Sequence, residues 1–151
     1  MSDFLDVVKT RRSVYGINAE SPLPDDALAA LLRQTIMALP TAYNMQSTRM
    51  VLLLGDAHKK LWEIVLEVLH TEVPGEDRFA RTRQKIAGFA AGHGSVLYFD
   101  DREVTERFKA ENPAYAANFD SWTLQQNGML QVTVWNLLAE QGFGASLQHY
   151  N

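Results

Sequence analysis

Two short apolar runs, each next to a glycine turn signal, limit most strongly what this chain can fold into. Residues 49–54 read RMVLLL and precede Gly-Asp, and residues 95–99 read SVLYF and follow Gly-His-Gly. Runs of this length and composition are typical of strands that are buried on both faces. Helical patterns surround both runs, so the sequence predicts a helix-rich domain of the α+β or mixed α/β type.

Apolar residues at helical spacing fill most of the remaining chain. The first helix would place Phe4, Leu5 and Val8 on one apolar face, with Ser2 or Asp3 as its N-cap. Gly142 would end the last and longest helix as its C′ residue. After the first, helices are predicted at about 24–39, 57–70, 79–90, 104–109 and 121–141, and a third strand at 145–150. The inward residues predicted for the helix at 57–70 are Leu61, Trp62, Val65, Leu66 and Leu69, and one face of the last helix is marked by Leu130, Val134, Leu137 and Leu138. The pair Asp100-Asp101, after the second apolar run, is interpreted as a turn with an N-cap.

Composition excludes several classes of protein and of site. The chain has 151 residues, which suits a single domain with a core, and its net charge of −4 argues against a nucleic-acid-binding face. It has no cysteine, and its four histidines lack metal-ligand spacing, so we expect neither disulfides nor a metal site. Neither a signal peptide nor a membrane-spanning run is visible, so we expect a soluble, cytoplasmic protein.

The stretch DVVKTRRSVYGIN, residues 6–18, places two cations and a hydroxyl where the first helix should end. In one interpretation, Arg11 and Arg12 complement the partial negative charge of a helix C-terminus. In the other, their guanidinium groups and the hydroxyl of Ser13 bind an anion such as a phosphate. The residues alone leave both interpretations open.

A second polar cluster lies in the loop before the first strand. It contains Thr41, Asn44, Gln46 and Ser47. Polar side chains commonly satisfy turn backbone, which is the simpler interpretation. Two side-chain amides two residues apart also offer donors and acceptors of the kind that the edge of a planar heteroaromatic ring requires.

Three segments, in this order, resemble the nitroreductase family of FMN-dependent oxidoreductases. They are RRSVYGIN, ALPTAYNMQSTRMVLL and WTLQQNGMLQVTVWNLLAEQGFGASLQHYN, and the resemblance covers nearly the whole chain. It implies one nitroreductase-like domain over residues 1–151, with a central mixed sheet surrounded by helices and a long helix in the core of a dimer. Family members continue beyond the position of Asn151, so we expect the family's C-terminal extension, with its basic residues, to be missing here.

The resemblance also implies an FMN site at a dimer interface. The segment after the first helix would bind the phosphate and ribityl chain, the proline-led loop would bind FMN from the partner subunit, and the last segment would present backbone near flavin N5 and O4. Tyr15 stands where many members carry a lysine. Tyr115 and Trp122 would line the substrate side of the flavin. The implied FMN-binding residues are Arg11, Arg12, Ser13, Tyr15, Pro40, Thr41, Ala42, Asn44, Gln46, Leu147, Gln148 and His149.

The implied activity is ping-pong reduction of nitroaromatics, quinones or related small acceptors by an intertwined homodimer. NADH or NADPH would deliver a hydride to the flavin, and the acceptor would then take its place, without a catalytic protein nucleophile. A flavin-binding module without turnover and an inactive, truncated family member remain alternatives. Within the same fold, a flavin dehalogenase and an enoate-type reductase are further alternatives.

Overall fold

The computed structural model describes residues 3–150. These residues form a helix-rich structure with a small sheet, so the predicted α+β class is confirmed. Short 3-10 turns cover Ala42–Asn44 and Pro113–Asn118. Among the helices of residues 3–150, none combines the length and the apolar character that a membrane-spanning segment requires. The helices and strands are α1 (Phe4–Thr10), α2 (Asp25–Ala38), β1 (Thr48–Leu54), α3 (Gly55–Glu72), α4 (Glu76–Ala90), β2 (Gly94–Asp100), α5 (Arg102–Glu111) and α6 (Phe119–Glu140).

The chain forms two compact units that are each discontinuous in sequence. Unit 1 contains the described residues up to Pro22, together with residues 52–95 and those from Leu138 onward, and unit 2 contains residues 23–51 and 96–137. The organisation of residues 1–151 as one domain stays a prediction.

The two apolar runs form β1 and β2, which pair as a two-stranded antiparallel sheet. At one end the backbone N–H of Asp101 donates to the carbonyl oxygen of Ser47 over 2.8 Å. At the other end Gly94 lies so close to the facing strand that a Cβ there would be 2.8 Å from the carbonyl oxygen of Leu53. Burial on both faces was the wrong expectation, because Val51 and Phe99 remain 41% and 49% exposed. Helices cover one side of a two-stranded ribbon more easily than both.

The third predicted strand, at 145–150, is wrong. Within the described residues, parallel pairing is limited to an isolated bridge between Ser13 and Ala145. The mixed sheet that the resemblance implied is therefore reduced here to an antiparallel pair and this single bridge. The segment ASLQHY at 145–150 indicated a strand, but a strand requires a ladder of neighbouring backbone groups, and among the described residues a single pair supplies it here.

The core of unit 1 lies between α3 and α4. Trp62, Ile86 and Phe89 are buried at its centre. The side chains packed against them include the face predicted for the helix at 57–70, which is confirmed: they are Leu61, Val65, Leu66, Leu69, Ala90 and Tyr150.

A buried histidine joins the helices of this core to β2. His58 Nε2 lies 3.2 Å from the carbonyl oxygen of Ala90, which can only accept, so Nε2 carries the proton. Its Nδ1 lies 3.0 Å from Ser95 Oγ, and Trp62 Nε1 donates to the same hydroxyl over 3.2 Å. Burial lowers the pKa of His58, so the imidazole is neutral with both nitrogens bonded.

The core of unit 2 is built around α6. Phe119, Leu130 and Val134 are almost fully buried on this helix, as the apolar pattern predicted for the last two. The same helix also buries polar side chains and exposes apolar ones. The buried polar residues are Thr123, Gln126 and Asn136, and the exposed apolar residues are Leu124, Met129 and Val132, at 75%, 41% and 47%.

The face predicted for α1 is wrong. Asp3 is the N-cap as expected, with its carboxylate accepting from the N–H of Leu5. However, Phe4 and Leu5 are 73% and 54% exposed, and Val7 is the residue that this helix buries. A helix of seven residues has two turns, so its apolar pattern does not by itself define which stripe packs.

Two predicted helix ends are confirmed. Asp101 caps α5, and its Oδ1 accepts from the N–H groups of Glu103 and Val104. Gly142 has φ +89° after α6. Its N–H donates to Ala139, and that of Phe143 donates to Leu138, which is the bonding pattern of a Schellman motif.

Candidate functional site

The cationic segment begins where α1 ends. Arg11 is the C-cap residue, and its N–H donates to the carbonyl of Val7 over 2.9 Å. Its φ and ψ, −58° and 119°, turn the chain out of the helix, and the following residues Arg12 and Ser13 are exposed. The helix end thus explains the position of Arg11, whereas Arg12 and Ser13 lie beyond the helix and are exposed at the surface.

A backbone contact joins this segment to the chain that follows α6, within unit 1. The N–H of Val14 donates to the carbonyl of Ala145 over 3.0 Å, and Ser13 and Ala145 form the parallel bridge. Gly144 permits this approach, because a Cβ there would lie 2.9 Å from Val14 Cγ1 and 3.1 Å from Val14 Cβ. The structure therefore brings the stretch that contains Arg11, Arg12, Ser13 and Tyr15 beside the one that contains Leu147, Gln148 and His149.

The segment from 145 onward is anchored at both ends. Ala145 holds one end through the bridge, and the Tyr150 ring packs edge-on against Trp62 with centroids 5.8 Å apart. Between them, Leu147 and His149 are exposed, and Gln148 Nε2 donates to Ser146 Oγ over 3.2 Å. Residues 146–149 are consequently held in place without belonging to a regular strand.

The proline-led loop lies in unit 2 and has an unusual backbone. Tyr43, Asn44 and Gln46 have φ values of 54°, 52° and 50°, in the left-handed region that side chains disfavour. Such a conformation costs about 1–3 kcal/mol per residue and persists only where the surroundings enforce it. Three such residues within four positions are a feature that needs a structural cause.

Polar contacts hold this loop at both ends. Thr41 Oγ1 accepts from the N–H of Gln46 over 3.0 Å, which closes the loop on itself. Arg49 Nη1 donates to the carbonyl of Gln46 over 2.7 Å, and Arg49 Nη2 pairs with Asp101 at 2.8 Å. Pro40, Asn44 and Gln46 are exposed on this loop, and Thr41 and Ala42 are half-buried.

Behind the loop lies a buried polar cluster that sequence reasoning missed. Ser47 is fully buried, and its Oγ lies 2.6 Å from both Asp100 Oδ1 and Gln126 Nε2. Thr105 Oγ1 donates to Asp100 Oδ2 over 2.9 Å. Ser47 was noticed only as a loop residue, and Gln126 lies 79 positions away, so no local signal could have connected them.

An aromatic cluster lies beside the same loop within unit 2. The ring of Tyr43 stacks on Trp122 with centroids 5.8 Å apart and an interplanar angle of 26°, and it lies 6.1 Å from Tyr115. The structure thus brings the two predicted substrate-lining residues together, 6.5 Å apart, and adds Tyr43, which the sequence did not single out. Tyr43 and Tyr115 are each 50% exposed.

A cleft in unit 1 is lined by residues other than those predicted for the site, and a metal-binding cluster is absent from the described residues. Within residues 3–150, no group of three or more potential metal-ligating side chains is close enough to hold an ion. A cleft of about 390 Å³ is lined by Val73, Arg78, Arg81 and Thr82, and none of these is a predicted site residue.

The chain is similar to known proteins over nearly its whole length. The model of the nitroreductase family matches residues 8–151. HBN1 of Saccharomyces cerevisiae is 35% identical over 153 aligned positions, which cover 100% of this chain and 76% of HBN1. The nitroreductase FRM2 of the same yeast is 32% identical, over 99% of this chain and 75% of FRM2.

Solved structures show the same relation. Nitroreductase CinD from Lactococcus lactis, in complex with chloramphenicol, superimposes with a TM-score of 0.86 at 32% identity, over 99% of this chain and 75% of CinD. A second CinD structure, with 4-nitrophenol, gives a TM-score of 0.85. These likenesses confirm the nitroreductase-like fold. The chain belongs to the nitroreductase family and is an oxidoreductase of the nitroreductase type.

Proposed function

We propose that this protein binds FMN and uses it to reduce nitroaromatics, quinones or related small acceptors with NADH or NADPH in a ping-pong reaction. The observation that supports this best is the bridge between Ser13 and Ala145. It sets the segment with the two arginines beside the segment that family resemblance assigns to the flavin ring edge. A phosphate site and a ring site must lie near each other for one FMN to occupy both.

The residues after α1 suit the phosphate end of FMN. Arg11 and Arg12 carry guanidinium forks, which match a phosphate in charge and in bidentate geometry, and Ser13 adds a hydroxyl donor. The tight approach at Gly144 leaves no room for a side chain against Val14. These segments would therefore hold the phosphate and ribityl chain from positions that the backbone fixes.

The ring end would be held by the loop and by the segment after Ala145. Asn44 and Gln46 carry amides on a loop whose left-handed conformation is already set, so little ordering would be needed on binding. Thr41, Ala42 and Pro40 belong to the same loop, which we propose is supplied by the partner subunit. Leu147, Gln148 and His149, with Tyr15, would face the flavin from the other segment.

When bound, FMN would supply the hydride-transfer chemistry, and the protein would supply binding, orientation and polarity. Tyr43, Tyr115 and Trp122 offer aromatic faces on which a planar acceptor could stack. CinD has been solved with chloramphenicol and with 4-nitrophenol, both of which contain a nitrophenyl group, and this supports a nitroaromatic acceptor here.

We also propose that the protein works as a homodimer, located in the cytoplasm. The exposed apolar side chains Leu124, Met129 and Val132 on α6 suit burial against a second copy. The absence of cysteine suits a reducing compartment. Sedimentation of the purified protein would test the dimer directly.

The central experiment is a titration of the purified protein with FMN, followed by turnover measurements. We expect FMN fluorescence to change on binding, and NADH or NADPH to be consumed when 4-nitrophenol or a simple quinone is present, with the parallel double-reciprocal plots of a ping-pong reaction. Binding without turnover would instead identify a non-catalytic flavin-binding module. Protein that binds no FMN would contradict the proposal and favour an inactive family member. Release of halide from a halogenated substrate would instead indicate a flavin dehalogenase, and reduction of an enoate would indicate an enoate-type reductase.

A further inference from the structure

We propose that Gln126, Ser47 and Asp100 form a positioning relay that holds the proline-led loop in its left-handed conformation and thereby sets the affinity for FMN. This inference rests on the proposed function. It goes beyond it by assigning a role to three residues that the comparison with the family did not single out.

The loop conformation needs support from outside the loop. Tyr43, Asn44 and Gln46 are all left-handed without being glycine, and each such residue costs free energy. The hydrogen bond from Gln46 to Thr41 closes the loop internally, but it does not connect the loop to the rest of unit 2. Besides the ring contact of Tyr43 and the hydrogen bond from Arg49 to Gln46, the loop is connected to unit 2 at Ser47, which directly follows the last strained residue.

The relay has a single direction, which the chemistry of its groups fixes. The carboxylate of Asp100 only accepts, so Ser47 Oγ donates to it over 2.6 Å. Because its one proton is used, Ser47 Oγ must accept from Gln126, whose Nε2 therefore faces it at 2.6 Å. Thr105 donates to the second oxygen of Asp100, so the carboxylate is held from both sides.

Gln126 in the relay has an unfavourable feature that a side chain chosen only to fill space would not have. Gln126 Oε1 is buried and has no hydrogen-bond partner within the described part of the chain, which is unfavourable for a polar atom. An apolar side chain of similar size would avoid this cost. The feature that such a side chain would lose is the N–H that Ser47 needs.

The backbone next to the relay is held from the same side. The N–H of Asp101 donates to the carbonyl of Ser47 over 2.8 Å, and Arg49 links Gln46 to the carboxylate of Asp101. Positions 46 and 47 are thus held by the start of α5 and, through Gln126, by the middle of α6. If Ser47 loses its hydroxyl, the side-chain connection to α6 disappears while the backbone pairing of the strands remains.

The test compares Ser47→Ala with Asp100→Asn and with a control, Thr35→Val. Asp100→Asn keeps an oxygen that can accept from Ser47, so this variant should preserve most of the relay. Thr35→Val removes a buried hydroxyl that donates to the carbonyl of Leu31 within α2, so it matches the loss of a buried hydrogen bond without touching the loop.

Two measurements are made on each protein: amide hydrogen exchange of residues 41–47 without added FMN, and the Kd for FMN by fluorescence titration. For Ser47→Ala we expect exchange at Asn44 and Gln46 to accelerate about tenfold or more and the Kd to rise about tenfold, the scale of one lost buried hydrogen bond. Asp100→Asn should stay within about threefold of the parent in both, and Thr35→Val should match the parent.

Ser47→Ala that behaves like Thr35→Val in both measurements would overturn the relay. If the parent protein binds no FMN, the proposed function fails, and the exchange measurement alone then decides whether the relay holds the loop. Should Ser47→Ala not fold, Gln126→Met takes its place with the same expectations, because methionine removes the N–H donor to Ser47 at nearly constant volume.

Discussion

The segment after α1 and the loop before β1 are predicted to serve one cofactor, yet they are held in different ways. In unit 1, Ser13 and Val14 are fixed by one backbone bridge and by the space that Gly144 leaves. In unit 2, the loop at 40–47 has a strained backbone that buried and half-buried side chains enforce. The first region depends on charge and close backbone approach, and the second depends on a preorganised conformation.

This difference has measurable consequences. Binding through the guanidinium groups of half-buried Arg11 and exposed Arg12 would be screened by salt, because the Debye length at physiological ionic strength is only about 8 Å. Binding through a preorganised loop depends little on salt and strongly on the side chains that hold the loop. Substitutions in the two regions should therefore differ both in how much they weaken FMN binding and in how that loss depends on salt.

The largest effect is expected for Arg11→Ala, which should weaken FMN binding by about 1.5–3 kcal/mol, the range for a hydrogen bond to a charged group. The affinity of the variant should also fall less steeply with salt than that of the parent. Fluorescence titration at two salt concentrations measures both. Lys9→Ala is the control, since Lys9 is a cation in the last turn of the same helix that pairs with Asp6. Equal losses in the two variants would assign the effect to general charge.

A somewhat smaller effect is expected for Gly144→Ala. The added Cβ would press on Val14 at 2.9 Å, so we expect a loss of about 1–3 kcal/mol in the free energy of unfolding, the usual range for overpacking. FMN binding should weaken as well, because the two segments are pushed apart. Chemical denaturation measures the first effect. Gly88→Ala in α4, where a Cβ meets nothing within 4 Å, should be neutral or stabilising. A Gly144→Ala protein as stable as Gly88→Ala would show that the close approach of Gly144 to Val14 does not limit stability.

Gln46→Gly should distinguish the effect of backbone strain on stability from the contribution of the Gln46 side chain to FMN binding. Glycine adopts positive φ without penalty, so the free energy of unfolding should change by no more than about 1 kcal/mol, with relief of strain offsetting the greater freedom of the unfolded chain. The FMN affinity should fall nonetheless, because the amide is lost and the loop is less rigid. Thermal unfolding and FMN titration of the same samples test this pair of expectations. An unchanged affinity would show that Gln46 does not touch the cofactor.

The smallest effect is expected from pH, through His58 in the core that supports the first region. Burial lowers the pKa of His58 below 6.5, so the unfolded chain binds its proton first as the pH falls. The contribution of the neutral imidazole is fully present above about pH 6.5 and is lost as the pH falls below it, with a slope of at most about 1.4 kcal/mol per pH unit. Urea denaturation between about pH 5 and 8, a range that brackets the unfolded pKa of histidine, measures this pH dependence of the free energy of unfolding. A His58→Gln variant should show a flatter profile, and an equally steep one would assign the dependence to another group.

Local sequence signals predicted much of this molecule. The inward face of α3, the cap at Asp101 and the C′ glycine at Gly142 each depend on a few neighbouring residues, and each is confirmed. The face of α1 and the strand at 145–150 were wrong because their outcome depends on distant partners. The cluster around Ser47 had no local signal, since its members are separated by 53 and 79 positions.

The sequence by itself determined the order of the six helices and of β1 and β2, the cap at Asp101, the C′ glycine at Gly142 and the positions of the polar segments, because periodicity, capping and turn chemistry act over a few residues. Only the tertiary structure decided that Ser13 meets Ala145, that Tyr43 stacks on Trp122, and that Ser47 is buried between Asp100 and Gln126. Such contacts depend on which surfaces the folded chain brings together, and a linear pattern does not encode that choice residue by residue.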